Sequence, residues 1–181
     1  MVNDEQLIAG LKDESTRKDA FRMLVTTFKQ RLYWHIRKIV LNHDDADDIL
    51  QNTFIKVWRN IDTFRSESGL YTWLYRIATN ESLTFLNQKK KKMLGTGEEI
   101  NDYLTERIQT DPYFDGNEIQ RRLQEAIARL PEKQRLVFNM RYFDGIKYQD
   151  MEKILNTSSG ALKASFHHAV KKIEEYLKST D

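Results

Sequence analysis

The chain has no cysteine, only two prolines and only seven glycines among its 181 residues. Without cysteine it can form neither disulfides nor thiolate metal sites, which fits a reducing cytoplasm. Because proline and glycine are rare, few residues interrupt the helical periodicity of both halves. No apolar run approaches the ~18 residues of a membrane-spanning helix, and the acidic start at residues 1–5 lacks the basic region of a signal peptide. We expect an all-α, cytoplasmic protein without membrane insertion.

The net charge of +2 conceals two basic blocks separated by an acidic connector. Residues 1–93 carry 16 basic and 12 acidic side chains, and residues 119–181 carry 12 and 8, so each block has a charge of +4. Residues 94–118 carry one basic and seven acidic side chains, a charge of −6, together with three of the seven glycines. This pattern predicts two domains and an acidic linker, with a short helix near Tyr103–Ile108. It is typical of a protein that contacts nucleic acid at two places.

The last third of the chain has the pattern of a helix-turn-helix. One helix starts at Pro131, as the first turn of a helix prefers, and ends before the turn signal Asp144-Gly145. A short helix follows over Tyr148–Leu155, and Asn156 can then adopt the left-handed conformation of a turn. Ser158 or Ser159 is a suitable N-cap for the final helix.

The final helix has one apolar stripe and one face of small and basic side chains. The stripe recurs at helical spacing and predicts burial of Leu162, Phe166, Val170, Ile173 and Leu177. The opposite face would present Gly160, Ala164, His167, His168 and Lys171, with Lys163 and Lys172 at the flanks where phosphates would lie. The alternative is an ordinary helical hairpin with a solvated basic face.

The first block predicts four helices, at Asp4–Leu11, Thr16–Leu41, Asp45–Ile61 and Leu70–Asn87. In the third helix, Ile55 and Trp58 fall on an otherwise polar outer face with Asp48 and Gln51, which favours a protein-binding surface. The alternative is that Trp58 packs under a neighbouring helix. The acidic run over residues 44–48 is explained by the helix dipole, and no second ligand cluster accompanies it, so we expect no metal.

The fourth helix carries a polar stripe, followed by a lysine run at residues 89–92. Arginine and asparagine can pair with bases or phosphates, and neighbouring aromatic side chains can stack on unpaired bases. The stripe consists of Thr72, Arg76, Asn80, Leu83 and Asn87, flanked by Tyr71 and Tyr75. A solvated helix face is the alternative. Glu81 falls near the apolar side and implies a basic partner.

No catalytic constellation emerges from the sequence. The four histidines include an adjacent pair, His167-His168, whose side chains point about 100° apart on a helix and cannot form a ligand pair. There is no glycine-rich phosphate loop and no nucleophile motif. We therefore expect no cofactor and no enzymatic activity; an enzyme acting on nucleic acid lacks any candidate acid, base or metal cluster.

Together these segments resemble one family. Residues 45–58, DADDILQNTFIKVW, are similar to the helix of bacterial sigma factors that binds core polymerase, and residues 64–67 and 72–80 are similar to their promoter-melting segment. Residues 130–135, LPEKQR, and the helix-turn-helix resemble the domain that reads the −35 element. Two such domains alone resemble the extracytoplasmic-function (ECF) group of the sigma-70 family.

The resemblance implies a sigma region 2-like domain at residues 1–93, an acidic linker at 94–118 and a region 4-like domain at 119–181. It implies three partners: core RNA polymerase, promoter DNA and an anti-sigma factor. Core polymerase would be bound by Asp48, Gln51, Ile55 and Trp58. The −10 element would be read and melted by Arg65, Ser66, Ser68, Thr72, Arg76 and Asn80. The −35 element would be read by Ser158, Ser159, Gly160, Lys163, Ser165, His167, His168 and Lys171.

The chain departs from the family pattern at four positions of the helix-turn-helix. Asn156 replaces a usual glycine, Glu152 a small residue, Ser165 a common arginine and Val170 a basic residue. These changes leave the −35 sequence open. The alternative function is a stand-alone helix-turn-helix regulator, which would have no use for the outer face of the third helix.

Overall fold

A computed structural model describes residues 4–64, 69–94, 99–110 and 116–179. All regular elements in these ranges are helical, which confirms the all-α prediction. The helices are α1 (Asp4–Lys12), α2 (Arg17–Val40), α3 (His43–Asn60), α4 (Leu70–Met93), α5 (Ile100–Gln109), α6 (Glu118–Ala128), α7 (Glu132–Tyr142), α8 (Tyr148–Leu155) and α9 (Ser159–Ser179). A single 3₁₀ turn, Ile61–Thr63, follows α3.

Local chemistry explains where the first helices begin and end. The side chain of Asn42 accepts a hydrogen bond from Asp45 N at 2.9 Å and so caps α3, whose first turn carries two acids beside the positive end of the helix dipole. α4 continues through the lysine run to Met93, beyond the expected end at Asn87. Cations in a last turn are favourable, because they lie beside the negative end of the dipole.

The first domain is built around α2, which packs against α1, α3 and α4. The most deeply buried side chains of its core, with at most 1 % exposure, include Leu24, Leu32, Ile36, Ala46, Val57, Leu74 and Ala78. Burial of each large apolar side chain contributes about 1.5–3 kcal/mol. This core holds the outer faces of α3 and α4 in fixed positions.

The acidic connector contains a packed helix. The short helix expected near Tyr103–Ile108 is α5, which buries Leu104 and Ile108 and contacts α4 and α6. The guanidinium of Arg135, on α7, donates to Asn101 of α5 and to the carbonyl oxygens of Ala128 and Leu130. α5 is thereby tied to the start of the second domain.

The second domain packs α6, α7 and α9 around a small apolar cluster, with α8 against α9. A capping box joins Asn117 and Gln120 at the start of α6. Leu162, Ala169 and Ile173 of α9 are buried. Phe166, Val170 and Leu177 are only half-buried, contrary to the predicted stripe, because they lie where α9 passes the edge of this cluster.

The two domains pack against each other. α8 lies on α4 and α7 contacts α2. One cluster of buried apolar residues runs from α1–α4 through α5 into α7, α8 and the start of α9. None of the described helices combines the length and apolar character needed to cross a membrane.

Candidate nucleic-acid and protein-binding surfaces

The outer face of α3 forms an exposed surface with an apolar centre. Asp48, Gln51 and Ile55 are exposed and lie three or four residues apart, so they share one face of the helix. Ile55 retains 48 % of its accessible surface. An exposed isoleucine ringed by polar groups is typical of a protein-binding surface.

Trp58, the fourth residue expected on this face, is half-buried. Its ring meets that of Phe21 on α2 edge-on, with centroids 5.0 Å apart, and the Arg17 guanidinium lies 5.0 Å from the indole centroid. Arg17 also donates to Trp58 O at 3.1 Å and pairs with Asp62 at 3.2 Å. The indole therefore packs on α2 along one side, and its position relative to Ile55 is fixed by that contact.

Glu81 has the basic partner that the sequence implied. Its carboxylate pairs with the ammonium group of Lys56 on α3 and thus joins α3 to α4. Because the Lys56 side chain is half exposed, the pair is worth no more than about 1 kcal/mol.

The polar stripe of α4 is divided into an exposed part and a covered part. Arg76 and Asn80 are exposed one turn apart, as expected. Thr72 is only 4 % exposed, because α8 lies over it and its hydroxyl donates to Asp150 at 3.5 Å. Arg65, Ser66 and Ser68 lie outside the described residues.

Aromatic side chains beside Thr72 form a stack. The rings of Tyr71 and Tyr75 lie 4.3 Å apart, and the Arg31 guanidinium sits 4.7 Å from the centroid of Tyr71. Tyr75 is 2 % exposed, and burial raises the pKa of its hydroxyl, so it remains neutral. An open cleft next to the stack is lined by Arg31 and Tyr71 from the first domain and by Lys147 and Asp150 from the second.

The helix-turn-helix has the geometry that the sequence predicted. Asn156 adopts the left-handed conformation with φ 49° and ψ 51°. Ser158 Oγ accepts from Ala161 N at 3.4 Å, which identifies Ser158 as the N-cap of α9. Of the residues expected to read DNA, Ser158, Gly160, Lys163, His167, His168 and Lys171 are exposed, and Ser159 and Ser165 are half-buried.

Two features of this unit were not evident from the sequence. Glu152, one of the departures from the family pattern, accepts a hydrogen bond from Ser159 N at 2.5 Å and so caps the first turn of α9. Tyr148 lies between two cations, with the guanidinium of Arg141 at 5.2 Å and the ammonium of Lys163 at 5.9 Å from its ring centroid. In the sequence, only the position of Tyr148 at the start of α8 could have indicated these contacts.

A buried polar cluster joins the domains. The carboxylate of Asp144, just after α7, forms hydrogen bonds with His35 Nδ1 at 2.7 Å and with Lys38 Nζ at 2.5 Å. Both partners belong to α2. Burial alone would raise the pKa of Asp144, but the hydrogen bonds and charges of His35 and Lys38 outweigh it and lower the pKa below 3.8. The carboxylate is therefore ionised. No group of three or more acidic or histidine side chains suited to a metal occurs among the described residues.

Comparisons with known proteins identify the family of the chain. The profile of Sigma-70 region 2 matches residues 24–92, and that of Sigma-70 region 4 matches residues 120–173, so together they span most of the chain. The ECF RNA polymerase sigma-E factor of Haemophilus influenzae is 28 % identical over 96 % of this chain and 94 % of its own length. The ECF RNA polymerase sigma factor SigW of Bacillus subtilis is 29 % identical over 89 % and 90 %.

Two solved structures share the fold. The sigma factor RpoE of Bartonella quintana, in complex with the anti-sigma factor NepR, superposes with a TM-score of 0.70 at 23 % identity, covering 87 % of this chain and 96 % of that one. CnrH, in complex with the cytosolic domain of CnrY, gives 0.69 at 19 % identity, covering 98 % and 99 %. The chain belongs to the ECF group of the sigma-70 family, and its function is promoter-directed initiation of transcription.

Proposed function

We propose that the surfaces described above divide promoter-directed initiation between the two domains. The observation that carries this proposal is the outer face of α3, where Asp48, Gln51 and Ile55 are exposed and Trp58 is held beside them. In a segment that matches Sigma-70 region 2, such a face has one evident use, which is docking on core RNA polymerase.

DNA is read by the other two surfaces. Arg76 and Asn80 of α4, with Thr72 and the segment of Arg65, Ser66 and Ser68, engage the −10 element. The exposed side of α9 engages the −35 element, where lysines hold phosphates and the small residues allow a close approach to the groove. Ser165 and Val170 provide no base-reading guanidinium, so the affinity of this domain alone is modest.

The protein works as a dissociable subunit without catalysis of its own, in the cytoplasm where polymerase and chromosome meet. An anti-sigma factor is a further proposed partner. Both the family and the RpoE–NepR complex support it. Such a partner is recognised by its ability to abolish promoter-dependent transcription when added to a reconstituted reaction.

The decisive experiment is reconstituted transcription with purified core polymerase and a genomic promoter library, followed by mapping of start sites. The expected result is a set of start sites that share −10 and −35 sequences and that disappear when this protein is omitted. No promoter-dependent transcript would refute the proposal. A stand-alone regulator would instead bind specific DNA tightly without polymerase, so gel shifts of the full chain with and without core distinguish the two functions.

The α3 surface is tested by removing its apolar side chains. The double variant Ile55→Ala/Trp58→Ala should bind core polymerase at least about tenfold more weakly, because buried aromatic and apolar anchors dominate interface energies. A matched control, Met23→Ala/Trp34→Ala, removes an exposed methionine and an exposed tryptophan from α2 of the same domain. The control should bind normally, and equal loss in both variants would show that the α3 face is not the docking site. Circular dichroism verifies that both variants are folded.

A further inference from the structure

We infer that Glu152 limits the affinity of this chain for DNA, because it binds a negative charge of the protein's own to the start of α9. The inference deepens the proposed function and rests on it for the identity of α9 as the helix that reads the −35 element. The carboxylate of Glu152, on α8, accepts a hydrogen bond from Ser159 N, the first amide of α9, at 2.5 Å. An acid is therefore bound at the end of the helix that would approach DNA.

The first amides of a helix attract anions. They have no partner within the helix, and the helix dipole places a partial positive charge beside them. A DNA phosphate is one of the anions that such amides bind. In a helix-turn-helix the second helix enters the major groove by its N-terminal residues, while the first helix crosses the backbone. A phosphate oxygen and Glu152 would therefore compete for the amide of Ser159, which lies where α8 and α9 meet.

Glu152 forms the stronger of the two caps at the start of α9. Ser158 Oγ accepts from Ala161 N at 3.4 Å, which is long for a hydrogen bond, and its hydroxyl is neutral. The bond of Glu152 is much shorter and has a carboxylate as acceptor, and such charge-assisted bonds are roughly twice as strong as neutral ones. A phosphate must either displace this carboxylate or approach it as a like charge. Both routes weaken the binding of DNA.

The charge of Glu152 also acts against the cations near this end of the helix-turn-helix. Lys163 is the first basic residue of α9, and its ammonium lies 5.9 Å from the ring centroid of Tyr148. The guanidinium of Arg141 lies 5.2 Å from the same centroid. Both cations are exposed and can attract phosphates, and a nearby carboxylate lowers the positive potential that they create. A domain weakened in this way remains on a promoter only while polymerase holds it there.

Two substitutions separate this role from a structural one. Glu152→Gln and Glu152→Ala both remove the charge, and Gln keeps an acceptor for the amide of Ser159. Polymerase that carries either variant should bind a promoter found by start-site mapping about threefold to tenfold more tightly than with wild type. The matched control, Glu174→Gln, removes an exposed acid from the same helix and should change the dissociation constant by less than about twofold. If Glu152 only stabilised α9, both variants would bind DNA equally well or more weakly.

Changes in the DNA identify the phosphate. Phosphate contacts carry no sequence information, so the gain of Glu152→Gln should persist when the −35 sequence is scrambled and vanish on a duplex that ends downstream of it. The slope of log binding constant against log salt concentration should be steeper in Glu152→Gln by up to about one. A single uncharged methylphosphonate linkage, moved along the −35 duplex, should abolish the gain at one position.

Equal affinity of wild type and Glu152→Gln, or an equal gain in Glu174→Gln, would overturn the inference. A gain that no methylphosphonate position abolishes would also overturn it. If wild-type polymerase gives no promoter-dependent transcript, the proposed function fails instead. Gel shifts of the full chain alone on the same duplexes then still compare Glu152→Gln with wild type, so the two failures are distinguishable.

Discussion

At the scale of single residues, Asp144 is a buried acid that pairs with His35 and Lys38 of the first domain. His35 and Lys38 come from α2. Burial, and to a lesser degree the charge of Asp144, raises the pKa of the Tyr71 and Tyr75 hydroxyls on α4. The pKa of Asp144 in the folded protein lies below the ordinary 3.8. The charged carboxylate therefore stabilises the fold at neutral pH.

We predict that this contribution disappears in acid. A depressed pKa gives stability that is fully present above 3.8 and is lost as the pH falls through the lowered value. The melting temperature of wild type should exceed that of Asp144→Asn at pH 7, and the difference should shrink below about pH 4. Thermal melts across this range measure it. A constant difference would show that the charge of Asp144 is not responsible.

Arg135 is a second buried charge, 2 % exposed, and burial lowers the pKa of its guanidinium without neutralising it. It donates to one side-chain and two backbone oxygens around the junction of α5, α6 and α7. All three bonds come from Nη1. We predict that Arg135→Met destabilises the protein by about 1–3 kcal/mol, because the oxygens of Asn101, Ala128 and Leu130 lose their donor. Urea unfolding measures this, with exposed Lys133→Ala as the control.

At the scale of elements, the start of α9 is set by two side chains that take up first-turn amides. Ser158 binds Ala161 N and Glu152 binds Ser159 N. Asn156 supplies the left-handed turn that precedes them, in place of the usual glycine. Glu152 thus stabilises the recognition helix at a position where the family usually has a small residue.

We predict a graded response at Glu152. Glu152→Gln keeps an oxygen acceptor but loses the favourable charge at the helix start, a cost of about 0.3–1 kcal/mol. Glu152→Ala loses the cap as well and should cost about 1–2 kcal/mol in total. Urea unfolding should therefore rank wild type above Gln and Gln above Ala. If Ala matches wild type, the cap is dispensable.

At the scale of the whole molecule, the continuous apolar cluster couples the two domains. All three tryptophans lie in residues 1–93, so tryptophan fluorescence reports the first domain, while circular dichroism reports helices of both. We predict coincident urea transitions by the two probes in wild type, because coupled domains unfold together. In Asp144→Asn the transitions should separate. Separate transitions in wild type would show that the interface between the domains does not couple their unfolding.

Much of the fold was predictable from local signals. Helical periodicity, caps and turn residues located eight helical segments but not α6, and α8 lies where the sequence predicted it, at Tyr148–Leu155. The exposed positions of Ile55, Arg76 and Lys163 also followed from helical spacing. Periodicity could not reveal that Thr72 is covered, because the residue that covers it, Asp150, is 78 residues away in the chain.

The sequence by itself determined most of the helices and the division of charge, and it predicted the residues for polymerase and DNA, since each depends on neighbours within a few turns. Only the tertiary structure decided which residues meet at the interface between the two domains. The pairing of His35 with Asp144 joins residues 109 positions apart, and such a contact depends on how two folded surfaces meet. Composition and spacing do not reveal such a contact, because a buried aspartate and a solvated aspartate are the same residue in the sequence.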